Sequence, residues 1–401
     1  MDDIYFKKIV TYNFWKHFLQ FKSSQDLFSS DDVDLGTQFL LRTIVEGKYA
    51  SPGSLLDLGC GYGPLGLTLK SLFPDCRVHM VDKDALALAY SRQNAQLNRL
   101  QQIDIYGSLG YDSIHKSDFD LIVSNLPGKA GEPVIAYLLE EGRYRLAPAG
   151  IMAVVVVNPL EKIVEKILSS IRGVEIIQKR TRPGHAVFHY RFTVAPDIQR
   201  PPQTAFERGI YTRNRMTSHF DDFFFQLQTA YGLPEFDTLD YRSQLLTRAL
   251  LSLKGQSVDS AALFNPGQGH VAVATGKIFN PDNISLIDRD LLALEYSRLN
   301  LILNGFQPES IEVRHQLGVD LNCADGIDIV AGILREEEGP AALAQILEQV
   351  LGDLSAGGTA LVAGSSTAIA RIVTRVQNED RAHIKGRDKW RGYSLLVLGR
   401  V

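Results

Sequence analysis

Leu55-Leu56-Asp57-Leu58-Gly59-Cys60-Gly61-Tyr62-Gly63 decides the fold of this chain. A run of buried-strand character carries an acid near its end and enters a turn in which every second residue lacks a Cβ. Such a backbone wraps closely around a ligand, and the helix that follows presents unpaired N–H groups to it. The spacing G-x-G-x-G is tighter than the G-x-G-x-x-G of dinucleotide sites. Further on, Val78-His79-Met80-Val81-Asp82 closes a second strand on an acid suited to ribose hydroxyls. Strand, turn, helix, strand and acid in this order encode a nucleoside-binding βαβ unit, and the tight turn favours S-adenosylmethionine (SAM) over NAD. Asp82 equally suits the N-terminus of the helix starting near Asp84, and the two roles are compatible.

The chain has 401 residues, enough for two or three domains. Its formal charge of −4 gives no basic footprint for the whole molecule, so any nucleic-acid contact must come from local patches. Cys60, Cys76 and Cys323 are scattered, with neither metal spacing nor a disulfide framework, which points to a reducing compartment and no metal. Met1 to Lys8 lacks a signal peptide's pattern and no uncharged apolar run is long enough to span a bilayer, so the expectation is a soluble, cytoplasmic protein.

Residues 81–98, VDKDALALAYSRQNAQLN, return as IDRDLLALEYSRLNLILN at 287–304, with eleven of eighteen positions identical at an offset of 206. The same offset pairs Asp34, Gln38, Leu40 and Arg42 with Asp240, Gln244, Leu246 and Arg248. A period this long indicates tandem duplication of a whole domain. The seam is expected near Ala195 to Pro202, giving domains 1–197 and 203–401. Short β-branched runs at 120–124 and 151–157 alternate with amphipathic segments, the pattern of a mostly parallel sheet. Val174 to Lys179 and Ala186 to Phe192 read as an antiparallel edge hairpin. The second half sets Asn265-Pro266-Gly267-Gln268-Gly269-His270-Val271 opposite Asp57 to Gly63, which replaces the acid by Asn265 and the third glycine by Val271. That half is expected to be a non-catalytic, structural or substrate-binding copy.

Ser124-Asn125-Leu126-Pro127-Gly128 ends another strand, so Asn125 should face the bound nucleoside beyond the sheet's carboxyl edge. Its amide oxygen and an adjacent backbone carbonyl can hold an exocyclic NH2 and aim the nitrogen lone pair at a methyl group. Asn and Pro are also common turn formers, and a plain strand-to-loop turn is the other reading.

With these residues in place, the chain resembles the class I SAM-dependent methyltransferases of the small-domain family, which includes bacterial ribosomal-RNA guanine-N2 methyltransferases of the small subunit. The resemblance lies in Leu27 to Leu41, Leu56 to Leu67 and Ser124 to Gly131, in the family's order. It implies an α/β chain of two tandem Rossmann-like domains, each a mostly parallel seven-stranded sheet with an antiparallel edge hairpin. It implies that Asp57, Gly59, Gly61 and Gly63 cradle the methionine part of SAM, that Asp82 binds ribose, and that Asp34, Thr37 and Gln38 lie near the methyl group, with Asn125, Leu126 and Pro127 catalytic. Two departures stand out. Asn125-Leu126-Pro127-Gly128 replaces the family's Asn-Pro-Pro and bulky residue, and Ser108-Leu109 replaces the acid that grips adenine, leaving Ser108 at that edge of the cofactor site.

The implied reaction is N-methylation of a guanine amine in ribosomal RNA. A small-molecule or protein methyltransferase, and a SAM- or RNA-binding scaffold without catalysis, remain as alternatives. The basic residues Lys179, Arg180, Arg182 and Arg191, with Arg208, Arg213 and Arg215, either neutralise phosphates or form solvated faces.

Overall fold

The computed structural model describes residues 3–194, 202–220, 223–321, 323, 326–379 and 382–400. Most of the expected seam, 195–201, lies outside the described residues. The chain divides into two units, Phe6–Tyr211 and the residues from Thr212 onward joined by those up to Tyr5.

The first unit opens with a hairpin that the motif reading did not anticipate, β1 (Phe6–Phe14) and β2 (His17–Ser24). Its period-2 pattern buries Val10, Tyr12 and Phe14 and exposes Ile9, Thr11 and Asn13. Then come α1 (Leu35–Glu46), β3 (Ser54–Leu58), α2 (Pro64–Leu72), β4 (Arg77–Asp82), α3 (Ala85–Leu97), β5 (Ile103–Gly107), β6 (Phe119–Asn125), α4 (Glu132–Glu140), β7 (Leu146–Val157), α5 (Glu161–Ser170), β8 (Val174–Arg182) and β9 (His185–Phe192). The sheet order is β5-β4-β3-β6-β7-β9-β8, parallel as far as β7 and antiparallel at the β9–β8 edge. Leu55, Leu56, Ile122, Val123, Val154 and Val155 are fully or nearly fully buried because helices cover both faces.

The second unit repeats the plan with β10 (Thr212–Phe220), β11 (Phe223–Ala230), α6 (Tyr241–Ser252), β12 (Ser260–Phe264), α7 (His270–Phe279), β13 (Asn283–Asp288), α8 (Leu291–Leu303), β14 (Ile311–His315), β15 (Ile327–Ile333), α9 (Pro340–Asp353), β16 (Leu354–Ser365), α10 (Ser366–Glu379), β17 (Ala382–Trp390) and β18 (Tyr393–Arg400). Its sheet order is β14-β13-β12-β15-β16-β18-β17, the same path as in the first unit. No helix among the described residues is long and apolar enough to cross a membrane.

The two glycine turns pair differently from the expectation. Gly63 and Gly269, with φ of 102° and 89°, are the left-handed N-caps of α2 and α7. The offset of 206 therefore holds through the turn. Leu263 stands for Asp57 and Asn265 for Gly59, while Gly267 and Gly269 keep the places of Gly61 and Gly63. The second turn has lost the acid and the first glycine, and its third glycine is retained. Asn265 sustains a φ of 50° because a short amide tolerates the left-handed region.

Candidate functional site

The first unit's glycine turn is held from three sides. Gly59 and Cys60 both donate to Val81 O at 2.9 Å, and Gly61 N–H donates to Asp82 Oδ2 at 2.9 Å. Asp82 Oδ1 accepts from Asp84 N, so this carboxylate fixes the turn and the start of α3 together. From α3, Ser91 Oγ donates to Gly61 O and Asn94 Nδ2 to Tyr62 O, both at 2.8 Å. Gly59 and Gly61 have φ of 77° and 55°, and a Cβ on either would meet no protein atom within 4 Å. The turn is thus rigid and open on its outer side, a cradle with room for a ligand.

Asp57 lies beneath the turn, 1% exposed, with Oδ2 accepting from Gly66 N at 2.8 Å and Oδ1 without a protein partner. Burial raises its carboxyl to about 7, with Asp82 adding to the rise and the Gly66 N–H opposing it. A carboxyl that holds its proton more tightly folded than unfolded contributes most stability below about pH 4 and loses that contribution by about pH 7. Asp57→Asn should therefore gain thermal stability over the unaltered protein as pH rises through this window. Melting both at pH 4.5 and pH 8 checks it, and an unchanged difference in Tm would sink the idea.

Strand register places Asn125 beside the turn. Asp57 pairs with Val123, so Asn125, two residues on, is level with Gly59. Ser124 Oγ donates to Leu58 O at 2.7 Å and ties the two strand ends. Asn125 Nδ2 donates to Asp34 Oδ2 at 2.9 Å and to Thr37 Oγ1 at 3.1 Å. Asp34 is the N-cap of α1, its Oδ2 also accepting from Thr37 N at 3.0 Å. Leu126 N donates to Val155 O, and Pro127 O accepts from Ala130 N at 3.3 Å. Pro127 and Gly128 thus form a turn, while Asn125 precedes it and faces α1.

Asp34, Thr37 and Asn125 are joined by side-chain hydrogen bonds; Gln38, whose backbone N–H donates to Asp34 O at 2.9 Å, adds no side-chain bond to Asn125, and neither does Ser108. Gln38 Nε2 donates to Val33 O at 2.7 Å and braces the chain entering α1. Ser108 is buried, its N–H on Asp82 O and its Oγ on Gly110 O. Leu109 beside it is 5% exposed. Motif reading missed Tyr62, buried between the glycines, whose hydroxyl donates to Ser29 O at 3.1 Å and Asp32 O at 3.3 Å. Its only signal was an aromatic residue inside a turn of small ones.

The basic clusters are largely paired. Lys179 meets Glu161 and Glu165 at 3.0 Å, Arg180 meets Glu46, and Arg191 meets Glu175 at 2.9 Å. Arg182 donates to Leu35 O and lies over the Phe39 ring. Arg208 pairs with Glu141 and Arg213 with Asp237.

The equivalent place in the second unit is filled by its own side chains. Arg335 bonds Asp288 at 2.5 Å, Arg289 bonds Glu338 at 3.2 Å, and a Cβ on Gly267 would meet Glu235 Oε2 at 3.9 Å. Where β6 ends in Asn125, β15 ends in Ile333.

The family described as "Methyltransferase small domain" matches residues 18–183. "Uncharacterized protein YbxB" of Bacillus subtilis is 31% identical over 163 residues, 40% of this chain and 80% of that protein. "Ribosomal RNA large subunit methyltransferase G" of Shewanella woodyi is 31% identical over 128 residues, 30% of each. The chain thus spans less than a third of the length of that relative. Among solved structures, the 16S rRNA N2 methyltransferase RsmC of T. thermophilus, in complex with AdoMet and guanosine, superposes with a TM-score of 0.67 at 15% identity, covering 98% of both chains. At that identity the likeness is one of fold.

Proposed function

The chain belongs to the methyltransferase small-domain family, and from that premise we propose that its first unit is a SAM-dependent N-methyltransferase acting on the exocyclic amine of guanine in ribosomal RNA. The observation that carries this reading is Asn125, level with the glycine turn and with its amide nitrogen already engaged by Asp34 and Thr37. The amide oxygen is the atom left to receive a substrate amine.

The cradle of Gly59, Gly61 and Gly63 with the half-satisfied Asp57 beneath it fits SAM, with Asp82 at the ribose and Ser108 beside the adenine. SAM, when bound, supplies a methyl group activated by its sulfonium. Asn125 Oδ1 and Leu126 O accept the two N–H bonds of the amine and turn its lone pair toward the methyl group. The rate comes from alignment, and no strong base is needed beforehand. One proton of the methylated amine, bonded to nitrogen and hydrogen-bonded to Asn125 Oδ1, is lost to solvent after transfer. Gly128 is exposed and carries no side chain to stack on the base. The second unit, lacking the acid and any amide at Ile333, serves stability or substrate recognition, and the two units are copies of one ancestral domain. A ribosomal substrate puts the protein in the cytoplasm.

The names of the relatives support ribosomal RNA as the substrate class. The ion-paired state of the basic clusters favours a small or protein substrate instead. Incubation with tritiated SAM and ribosomal subunits, total protein or metabolites from cells lacking the protein separates the two. We expect label in RNA, recovered as a guanine methylated on its exocyclic nitrogen; label confined to protein or metabolites would overturn the RNA reading.

A further inference from the structure

We infer that Asp34 and Thr37 are positioning residues that lock the amide of Asn125 with its oxygen facing the substrate. This rests on the amine-methylation reading above. A carboxylate can only accept hydrogen bonds, so the group Asn125 presents to Asp34 must be its NH2. The contact is 2.9 Å, the Thr37 hydroxyl takes the same nitrogen at 3.1 Å, and nothing among the described residues donates to the amide oxygen. A free asparagine amide would present NH2 or oxygen with little preference, and only one of these can receive an amine.

The N-cap of α1 therefore does two jobs with one oxygen, ending the helix on Thr37 N and holding Asn125 from 91 residues away. Gly36 keeps that oxygen available, since a Cβ there would lie 2.8 Å from Asp34 Oδ2. The second unit shows the alternative. Asp240 caps α6 as Asp34 caps α1, yet it pairs with Arg242, the residue at the Gly36 position, at 2.8 Å. Ser243, at the Thr37 position, donates to Glu235, and Ile333 replaces the amide. Where there is no asparagine to orient, cap and hydroxyl have other partners. Tyr62 completes the device by pinning Ser29 and Asp32, in the loop leading to Asp34, from the glycine turn.

The test uses the full chain. Thr37→Val removes the acceptor but keeps the backbone cap, and should lower kcat about tenfold with KM for SAM unchanged, as for one lost oriented bond. Thr37→Ser restores the hydroxyl and should restore the rate. Asn125→Asp sets two carboxylates face to face and should cost a hundredfold or more. Adding Asp34→Asn supplies an NH2 to the new acid and should recover at least tenfold of that loss, a coupling that independent sites do not show. Equal losses in Thr37→Val and Thr37→Ser, or no recovery in the double variant, overturn the clamp. Selective 15N-asparagine labelling reads the clamp without activity. The NH2 signal that Asn125→Ala removes should exchange slowly with solvent in the unaltered protein and faster in Thr37→Val. If no substrate is methylated but this difference is present, the proposed function fails and the clamp stands; equal exchange removes the clamp.

Discussion

Gly61→Val is expected to abolish SAM binding while the chain stays folded. Gly61 has φ +55° and no protein atom within 4 Å of where its Cβ would stand, so a branched side chain there starts clear of the protein and projects into the cradle. The strain of an L-residue in the left-handed region is roughly 1–2 kcal/mol, too little to unfold a domain of this size. Gly267→Val is the matched comparison, with φ +58° and the same place in the second turn. It carries similar strain and should leave SAM affinity unchanged. Gly269 is no substitute as a control, because a Cβ there would lie 2.7 Å from the Ser297 backbone and force α7 and α8 apart. Calorimetry with SAM, alongside a thermal melt of each variant, gives the answer. Loss of binding in Gly267→Val with binding kept in Gly61→Val would assign the cofactor to the wrong unit.

The repeat was the most legible feature, and the structure supplies its physical reason. The identical positions in 81–98 and 287–304 include the residues that brace the turn. Ser91 and Ser297 donate to the carbonyls of Gly61 and Gly267, and Asn94 and Asn300 donate to those of Tyr62 and Gln268. Asn98 and Asn304 hold β2 and β11 through paired bonds to Gln20 and Gln226. These polar residues are constrained by turn geometry whether or not a ligand binds, which explains why the second half keeps them. The pairing of the turns is not legible in sequence because Asn265 resembles Asp57 chemically, although its positive φ marks it as a glycine replacement. Charge clusters were legible only as counts. Glu46, Glu141 and Glu161, which neutralise most of them, come from other elements, and Glu175 meets Arg191 across the hairpin, so the pairs form only when the chain folds. The meeting of Asp34 with Asn125 was likewise beyond spacing rules, since cap and strand end are joined by sheet topology alone.

Asn125→Ala should lower methyl transfer by two orders of magnitude or more while SAM affinity hardly moves. The substitution removes the amide oxygen that receives the amine, and loss of alignment at a reacting centre costs on the order of a hundredfold for about 1 Å of misplacement. It touches neither the Gly61–Asp82 bond nor the Ser91 and Asn94 braces, so the cradle is intact. It also leaves α1 capped, because Thr37 N still donates to Asp34 Oδ2. The loss should therefore fall on kcat, with KM for SAM unchanged, the pattern of a group that acts in the transition state. Single-turnover rates with tritiated SAM, paired with calorimetric titration of the same preparation, separate the two quantities. Near-normal turnover in this variant would mean that the amine is held elsewhere, and the reading of the Asn125-Leu126-Pro127 strand end as the catalytic edge would have to give way to the plain turn.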